Sequence, residues 1–294
     1  MAIPDFDPPV TAQERPSSSS LHVDLGGLSH PGKVRQNNED HFLVARFDRS
    51  MRALFTNLDP GHIPDRYGET GYAILVADGM GGEAAGEVAS DVAISSLVDL
   101  ALRTPDWIMR IDQDLARELL SRMDKRIGQL EDILRDKVRV DPSLSGMGST
   151  MTIALSLGTD LFVAHIGDSR AYLFRHGRLH KLTRDHTVAQ ALADAGEISP
   201  DDVDSHPLHH VLTHVIGTKG QKAQADLGML RLKDGDQLLL CTDGLTDMVT
   251  EETITGALAQ ERNSAQICEA LIEMALEAGG NDNITVALAR YQFS

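Results

Sequence analysis

Acidic residues recur where apolar runs of this chain stop or start, and that placement limits what it can fold into more than any other feature. AILVAD ends at Asp78 before Gly79, and LLLCTD ends at Asp243 before Gly244. The turn Gly279-Gly280-Asn281-Asp282-Asn283 precedes a final apolar run, Asp168 stands between the halves of LFVAHIGDSRAYLF, and Glu39-Asp40 opens HFLVARF. Taken singly, an Asp beside Gly is more often a turn residue than a ligand. An Asp inside a strand is rarer, because strands disfavour it and a buried carboxylate needs a partner. Five such places in one chain change the balance. Carboxylates brought together repel one another unless cations lie between them. An oxygen-only donor set, without His or Cys, selects hard cations such as Mn²⁺ and Mg²⁺.

The remaining pattern predicts an α+β fold. Residues 21–29, 41–47, 71–78 and 237–243, the runs STMTIALSLG, LFVAHIGDSRAYLFR and RLHKLT, and the terminal NITVALARYQF all read as strands. Gly158-Thr159-Asp160 and His176-Gly177 are hairpin turn signals. Helical patterns cover Glu83–Leu102, Thr187–Ala195, a start at Ser199-Pro200-Asp201-Asp202, Thr250–Ala259 and Ser264–Ala278. From Ile108 through Leu119, Ile127 and Leu134 to Val138, apolar residues step by three or four. That predicts one long amphipathic helix over about 106–140, its charges forming a solvated outer face. Residues 48–70 read as a long loop or insertion, and 203–222 as polar and irregular. Strands grouped in hairpins, with helices between the groups, favour antiparallel sheets with segregated helices over a parallel α/β fold.

Composition narrows the function. The chain has 294 residues and a net charge of −17, which argues against a nucleic-acid surface. No apolar run reaches the roughly 18 residues a bilayer needs. Residues 1–20, rich in Pro and Ser, read as a disordered tail rather than a secretory signal. Two cysteines, Cys241 and Cys268, make no disulfide framework, and the expected compartment is the cytoplasm.

Six segments in order carry a resemblance. They are Gly32-x-x-Arg35-x-x-Asn38-Glu39-Asp40, Val76-Ala77-Asp78-Gly79-Met80-Gly81-Gly82, Gly146-Met147-Gly148-Ser149-Thr150, His165-Ile166-Gly167-Asp168-Ser169-Arg170, Thr242-Asp243-Gly244-Leu245 and Gly280-Asn281-Asp282-Asn283-Ile284-Thr285. Each is weak alone. Together they make residues 21–294 resemble the metal-dependent serine/threonine phosphatases of the protein phosphatase 2C (PPM) family, in the bacterial single-domain style. The resemblance implies a four-layer α-β-β-α sandwich with two central antiparallel sheets and a metal site at one edge. It also implies a flap at about 186–222 that shapes substrate choice.

The resemblance further implies a role for each matching residue. Asp78 would bridge two ions, Mn²⁺ or Mg²⁺. Glu39 and the Gly79 carbonyl would serve one ion, and Asp243 with Asp282 the other. Asp168 with Asp243 would form a third, weaker site, and Asp40 would support the ligands. Arg35 would hold the substrate phosphate. A metal-activated water would then attack phosphorus directly, with no phospho-enzyme. No Cys-x5-Arg pattern offers a cysteine nucleophile. Expected partners are phosphorylated proteins, namely a cognate serine/threonine kinase and its substrates, with no nucleic acid or membrane and a monomeric state.

One position departs from many eukaryotic relatives, where a histidine after the Asp-Gly pair is a candidate general acid. Here it is Met80, and the proton donor is unassigned. His210 and His214, four apart, would share a helix face, but no acid or third histidine completes a zinc pattern. The rival readings are a metal-free binding or sensing module of the same fold, another two-metal hydrolase such as a phosphodiesterase, and a structural partner of a kinase. The first would lose ligands that are all present here, and the second would usually need histidine ligands. The third leaves the acids at strand ends unexplained.

Overall fold

The computed structural model describes residues 21–52, 54–55, 66–81, 85–103, 113–217 and 224–293. The predicted tail at 1–20 lies outside them. Eleven strands are described: β1 (Leu21–His30), β2 (Asp40–Arg52), β3 (Arg66–Met80), β4 (Gly148–Ser149), β5 (Met151–Leu157), β6 (Asp160–Ile166), β7 (Arg170–Arg175), β8 (Arg178–Lys181), β9 (Asp226–Arg231), β10 (Gln237–Cys241) and β11 (Ile284–Phe293). Six α-helices accompany them: α1 (Ala85–Arg103), α2 (Gln113–Val140), α3 (Val188–Asp194), α4 (Asp243–Thr246), α5 (Glu251–Leu258) and α6 (Ser264–Glu277).

The strands form two antiparallel sheets. One has the order β1-β11-β10-β7-β8, and the other β2-β3-β5-β6-β9, with β4 paired to β3. Three apolar cores divide the molecule into layers. Leu119, Met123, Ile127, Leu130 and Leu134 of α2 pack with α1 against the outer face of the second sheet. Ile74, Val76, Leu161, Leu238, Leu240 and Tyr291 fill the space between the sheets. Ile254, Leu258, Ile267, Leu271 and Ile272 seal α5 and α6 onto the outer face of the first. Each such side chain contributes roughly 1.5–3 kcal/mol when fully buried. The predicted α-β-β-α sandwich follows from these three cores.

Several boundaries differ from the sequence reading. The predicted loop at 48–70 has strand at both ends, since β2 and β3 stay paired out to Arg52↔Arg66. Asp48 and Thr70 face each other there, and the Thr70 hydroxyl donates to Asp48 Oδ1 at 2.7 Å. These arms extend past the core, so they carry no apolar alternation that would mark them as strand. The described part of the long helix starts at Gln113, and 106–112 lie outside the described residues. Asn263, not Ser264, caps α6, in a capping box with Gln266. Ser264 instead donates from its hydroxyl to Asp24 Oδ2 at 2.9 Å, fixing α6 to β1. Strand β9, absent from the sequence reading, is an edge strand with no fully buried residue.

Candidate metal centre

The register of the two sheets brings the acids together. Asp40, at the start of β2, is the cross-strand partner of Asp78 near the end of β3. In the other sheet, Cys241 at the end of β10 pairs with Arg170 at the start of β7 and with Val286 near the start of β11. Chain order then places Asp168, Asp243 and Asp282 at that same edge. Asp168 is not inside a strand, as the sequence suggests, but in the bend where the chain leaves one sheet for the other. Asp243 is the first residue of α4, so it stands at a helix start where a carboxylate is favoured.

A cavity of about 770 Å³ opens at this edge. Arg35, Glu39, Asp78, Gly79, Asp168, Asp243 and Asp282 all line it, so five acids face one guanidinium. Arg35 Nη2 donates to Asp282 Oδ2 at 2.6 Å. Asp40 does not line the cavity. It is buried behind it and accepts from the Thr242 hydroxyl at 2.8 Å.

The electrostatics show how far this cluster is from balance. Burial pushes the Asp78 carboxyl well above the usual range, and the negative charges of Asp40, Asp243, Asp168 and Asp282 add to the effect. Asp243 is raised for the same reasons, by burial and then by Asp168, Asp247, Asp282 and Asp40. Asp40 and Asp168 are each pushed up to about 7, again chiefly by burial. Asp243 Oδ1 and Asp40 Oδ1 are buried, and among the described residues they accept no hydrogen bond. Hard oxygen donors, mutual repulsion and an orphaned carboxylate oxygen fit divalent cations.

Neighbouring polar groups hold the loops that carry the acids. Asn283 was no more than a turn residue in sequence, yet its side chain ties the turn before β11 to three residues of the β1–β2 loop. Its Oδ1 accepts from the Glu39 N–H at 2.7 Å, and its Nδ2 donates to the carbonyls of Pro31 at 3.0 Å and Asn37 at 2.8 Å. The Thr242 hydroxyl, besides reaching Asp40, accepts from the Thr285 N–H at 3.0 Å. Thr150 accepts from the Asp78 N–H at 2.9 Å. The Gly79 N–H donates to the Glu39 carbonyl at 3.1 Å, and a Cβ on Gly79 would lie 1.9 Å from the Gly86 carbonyl oxygen. Sequence signals for Asn283, Thr242 and Thr285 existed only as neighbours of acids.

Of the predicted flap at about 186–222, residues 218–222 lie outside the described residues, and 186–217 border the cavity through His210 and Leu212. Arg170 ties it down, with Nη2 donating to Asp185 Oδ2 and to Asp204 Oδ1, each at 2.7 Å. Burial alone would raise Asp185, but Arg170 and Lys181 hold it below the usual range. The stretch holding His210 and His214 is not helical, so their spacing of four does not bring them together. The ring of His214 lies 4.8 Å from that of His186 between centres, tilted by 57°, while His210 faces Asp247. Met80, 37% exposed, lines the cavity and offers no proton to a leaving group.

A model of the family described as "Protein phosphatase 2C" matches residues 65–289. The chain belongs to the protein phosphatase 2C family. Among curated relatives, "Serine/threonine protein phosphatase PstP" of Mycobacterium tuberculosis is 40% identical over 216 residues, 74% of this chain and 40% of that protein. The chain thus spans well under half the length of that relative. "Protein phosphatase PhpP" of Streptococcus pneumoniae is 33% identical over 270 residues, 90% of this chain and 96% of that protein. The crystal structure of the Mycobacterium tuberculosis phosphatase PstP/Ppp aligns with a TM-score of 0.73 at 35% identity, covering 92% of this chain and 99% of that one. A structure of the PstP catalytic domain in complex with two manganese ions aligns with a TM-score of 0.71 at 33% identity, covering 92% and 99%. No helix among the described residues is long and apolar enough to cross a membrane.

Proposed function

We propose that this protein is a phosphoserine/phosphothreonine protein phosphatase that works with two divalent ions, Mn²⁺ or Mg²⁺, at the acidic edge of its sandwich. The observation that carries this reading is the convergence of Glu39, Asp78, Asp168, Asp243 and Asp282 on one cavity beside Arg35. Asp78, which feels the charges of Asp40, Asp168, Asp243 and Asp282, would help to hold both ions. Asp243 and Asp282 would hold one ion, and Glu39 with the Gly79 carbonyl the other. Asp168 with Asp243 would offer a weaker third position. When bound, such ions supply Lewis acidity that acidifies water and neutralises phosphoryl oxygens.

The chain's own residues do the rest. Arg35, now paired with Asp282, can turn its fork of donors onto a phosphate that enters the cavity. Asp40 holds Thr242, and through it the start of α4 that presents Asp243. Asn283 keeps Glu39 and Asp282 in fixed relation. Segment 186–217 would act as a flap that selects the peptide. The substrates proposed are phosphorylated proteins in the cytoplasm, including a serine/threonine kinase and its targets, met by a monomer that uses neither nucleic acid nor membrane.

The test is release of phosphate from phosphothreonine and phosphoserine peptides by purified protein saturated with Mn²⁺, with and without chelator. The expected result is turnover that the chelator abolishes. No turnover of several such peptides would replace this reading with a binding module of the same fold.

A further inference from the structure

Beside the acidic cavity, the segment between α3 and β9 brings two histidines to Asp247, the residue that caps the C-terminus of α4. His209, His210 and Asp247 each offer a donor atom, and the three lie within 4.8 Å of one another. His210 Nδ1 is 3.5 Å from Asp247 Oδ2, and the rings of His209 and His210 are 3.5 Å apart between centres. His209 Nδ1 lies 2.6 Å from the His206 carbonyl, which can only accept, so Nδ1 carries the proton. That leaves the lone pair on Nε2, the tautomer and support that metal-binding imidazoles use. In sequence these histidines lacked an acid; the fold supplies Asp247.

We propose that His209, His210 and Asp247 form a separate site for a borderline divalent transition ion of the Zn²⁺ class, with a fourth position open to water. Two imidazoles and a carboxylate suit such an ion, whereas Mg²⁺ takes oxygen donors. Bonds of about 2.0–2.1 Å place tetrahedral donors roughly 3.3 Å apart, so the group must contract. His210, whose side chain is 58% exposed, has room to swing inward. Asp247 follows Asp243 by one helical turn, and His210 and Asp243 line the same cavity. The ion would therefore fasten segment 186–217 to the helix that presents Asp243. The site stands without the phosphatase reading; only an effect on turnover would rest on it.

The test is a Co²⁺ titration of protein already saturated with Mg²⁺, followed by visible absorption, with Zn²⁺ as competitor. One additional Co²⁺ per chain, showing the intense bands of four-coordinate imidazole ligation and displaced by Zn²⁺, is expected. His210→Ala and Asp247→Asn should each weaken its binding at least tenfold, while His214→Ala leaves it unchanged. An unaltered spectrum and stoichiometry in the His209→Ala/His210→Ala double variant would overturn the site, as would the absence of such bands in the wild type. The readout is ion binding, so a failure of catalysis leaves it undisturbed.

Discussion

Raising the pH of the metal-free protein from 6.5 to 8.0 is expected to destabilise it, against the usual behaviour of carboxylates. Asp78 and Asp243 are held well above the ordinary range by burial and by one another's charge. In the unfolded chain both are already ionised at pH 6.5. The folded protein therefore binds more protons than the unfolded one across this window, and stability falls as pH rises. Asp40 and Asp168, pushed up to about 7, titrate inside this window and together cost about 1.5 kcal/mol over the interval, and Asp78 and Asp243 act in the same direction. For a chain of this size that lowers Tm by about 2–3 °C. Apart from these buried acids of the cluster, the shifted groups act mostly elsewhere. Asp48 and Asp185, held low, lose their stabilisation only as pH falls below about 4. His165, pushed down to about 4 by burial, gains stability up to about pH 6.5 and then levels off. The cysteines, pushed up to about 12, act only where unfolded thiols ionise, above the window. Thermal melts in chelator at the two pH values read the effect. Saturating Mn²⁺ should abolish it, and Asp243→Asn should raise the melting temperature of the chelated protein at pH 8.0. A chelated Tm that stays flat or rises with pH would refute the view that these carboxylates strain the empty cluster.

Three substitutions test single parts of the site. Arg35→Ala should raise KM for a phosphopeptide at least tenfold with a smaller change in kcat; an unchanged KM would remove Arg35 from phosphate binding. Asp168→Ala should chiefly shift the Mn²⁺ concentration needed for half-maximal turnover, and an identical metal titration would count against the third position. Gly244→Ala would set a Cβ 2.0 Å from the Asn283 carbonyl oxygen, where α4 meets the turn before β11. It should cost about 1–3 kcal/mol in a denaturant melt and weaken Mn²⁺ binding, since it moves Asp243 and Asp282 together.

The acids were legible in sequence because each breaks a pattern: an apolar run stops, and a charged residue with a turn former follows. The strand segments around Leu75, Leu239 and Val286 were legible for the same reason, as buried strands are continuous in composition. The polar arms of β2 and β3 and the edge strand β9 were not, because backbone pairing holds them with little burial. The register that faces Asp40 with Asp78 is a property of paired strands, and nothing local encodes it. Asn283, Thr242 and Thr285 act through hydrogen bonds to segments some 40 to 250 residues away, so their roles emerge only when the sheets meet. Likewise, His210 found its acid in Asp247 only in the folded chain.

Counting the Mn²⁺ ions bound per chain, in wild type and in Asp78→Asn, tests the central claim most directly. Equilibrium dialysis of both proteins against micromolar Mn²⁺ should give two or more ions for the wild type and at least one fewer for Asp78→Asn, because one carboxylate is assigned to both. An equal count in the two proteins, or fewer than two ions in the wild type, would contradict a metal centre built around Asp78.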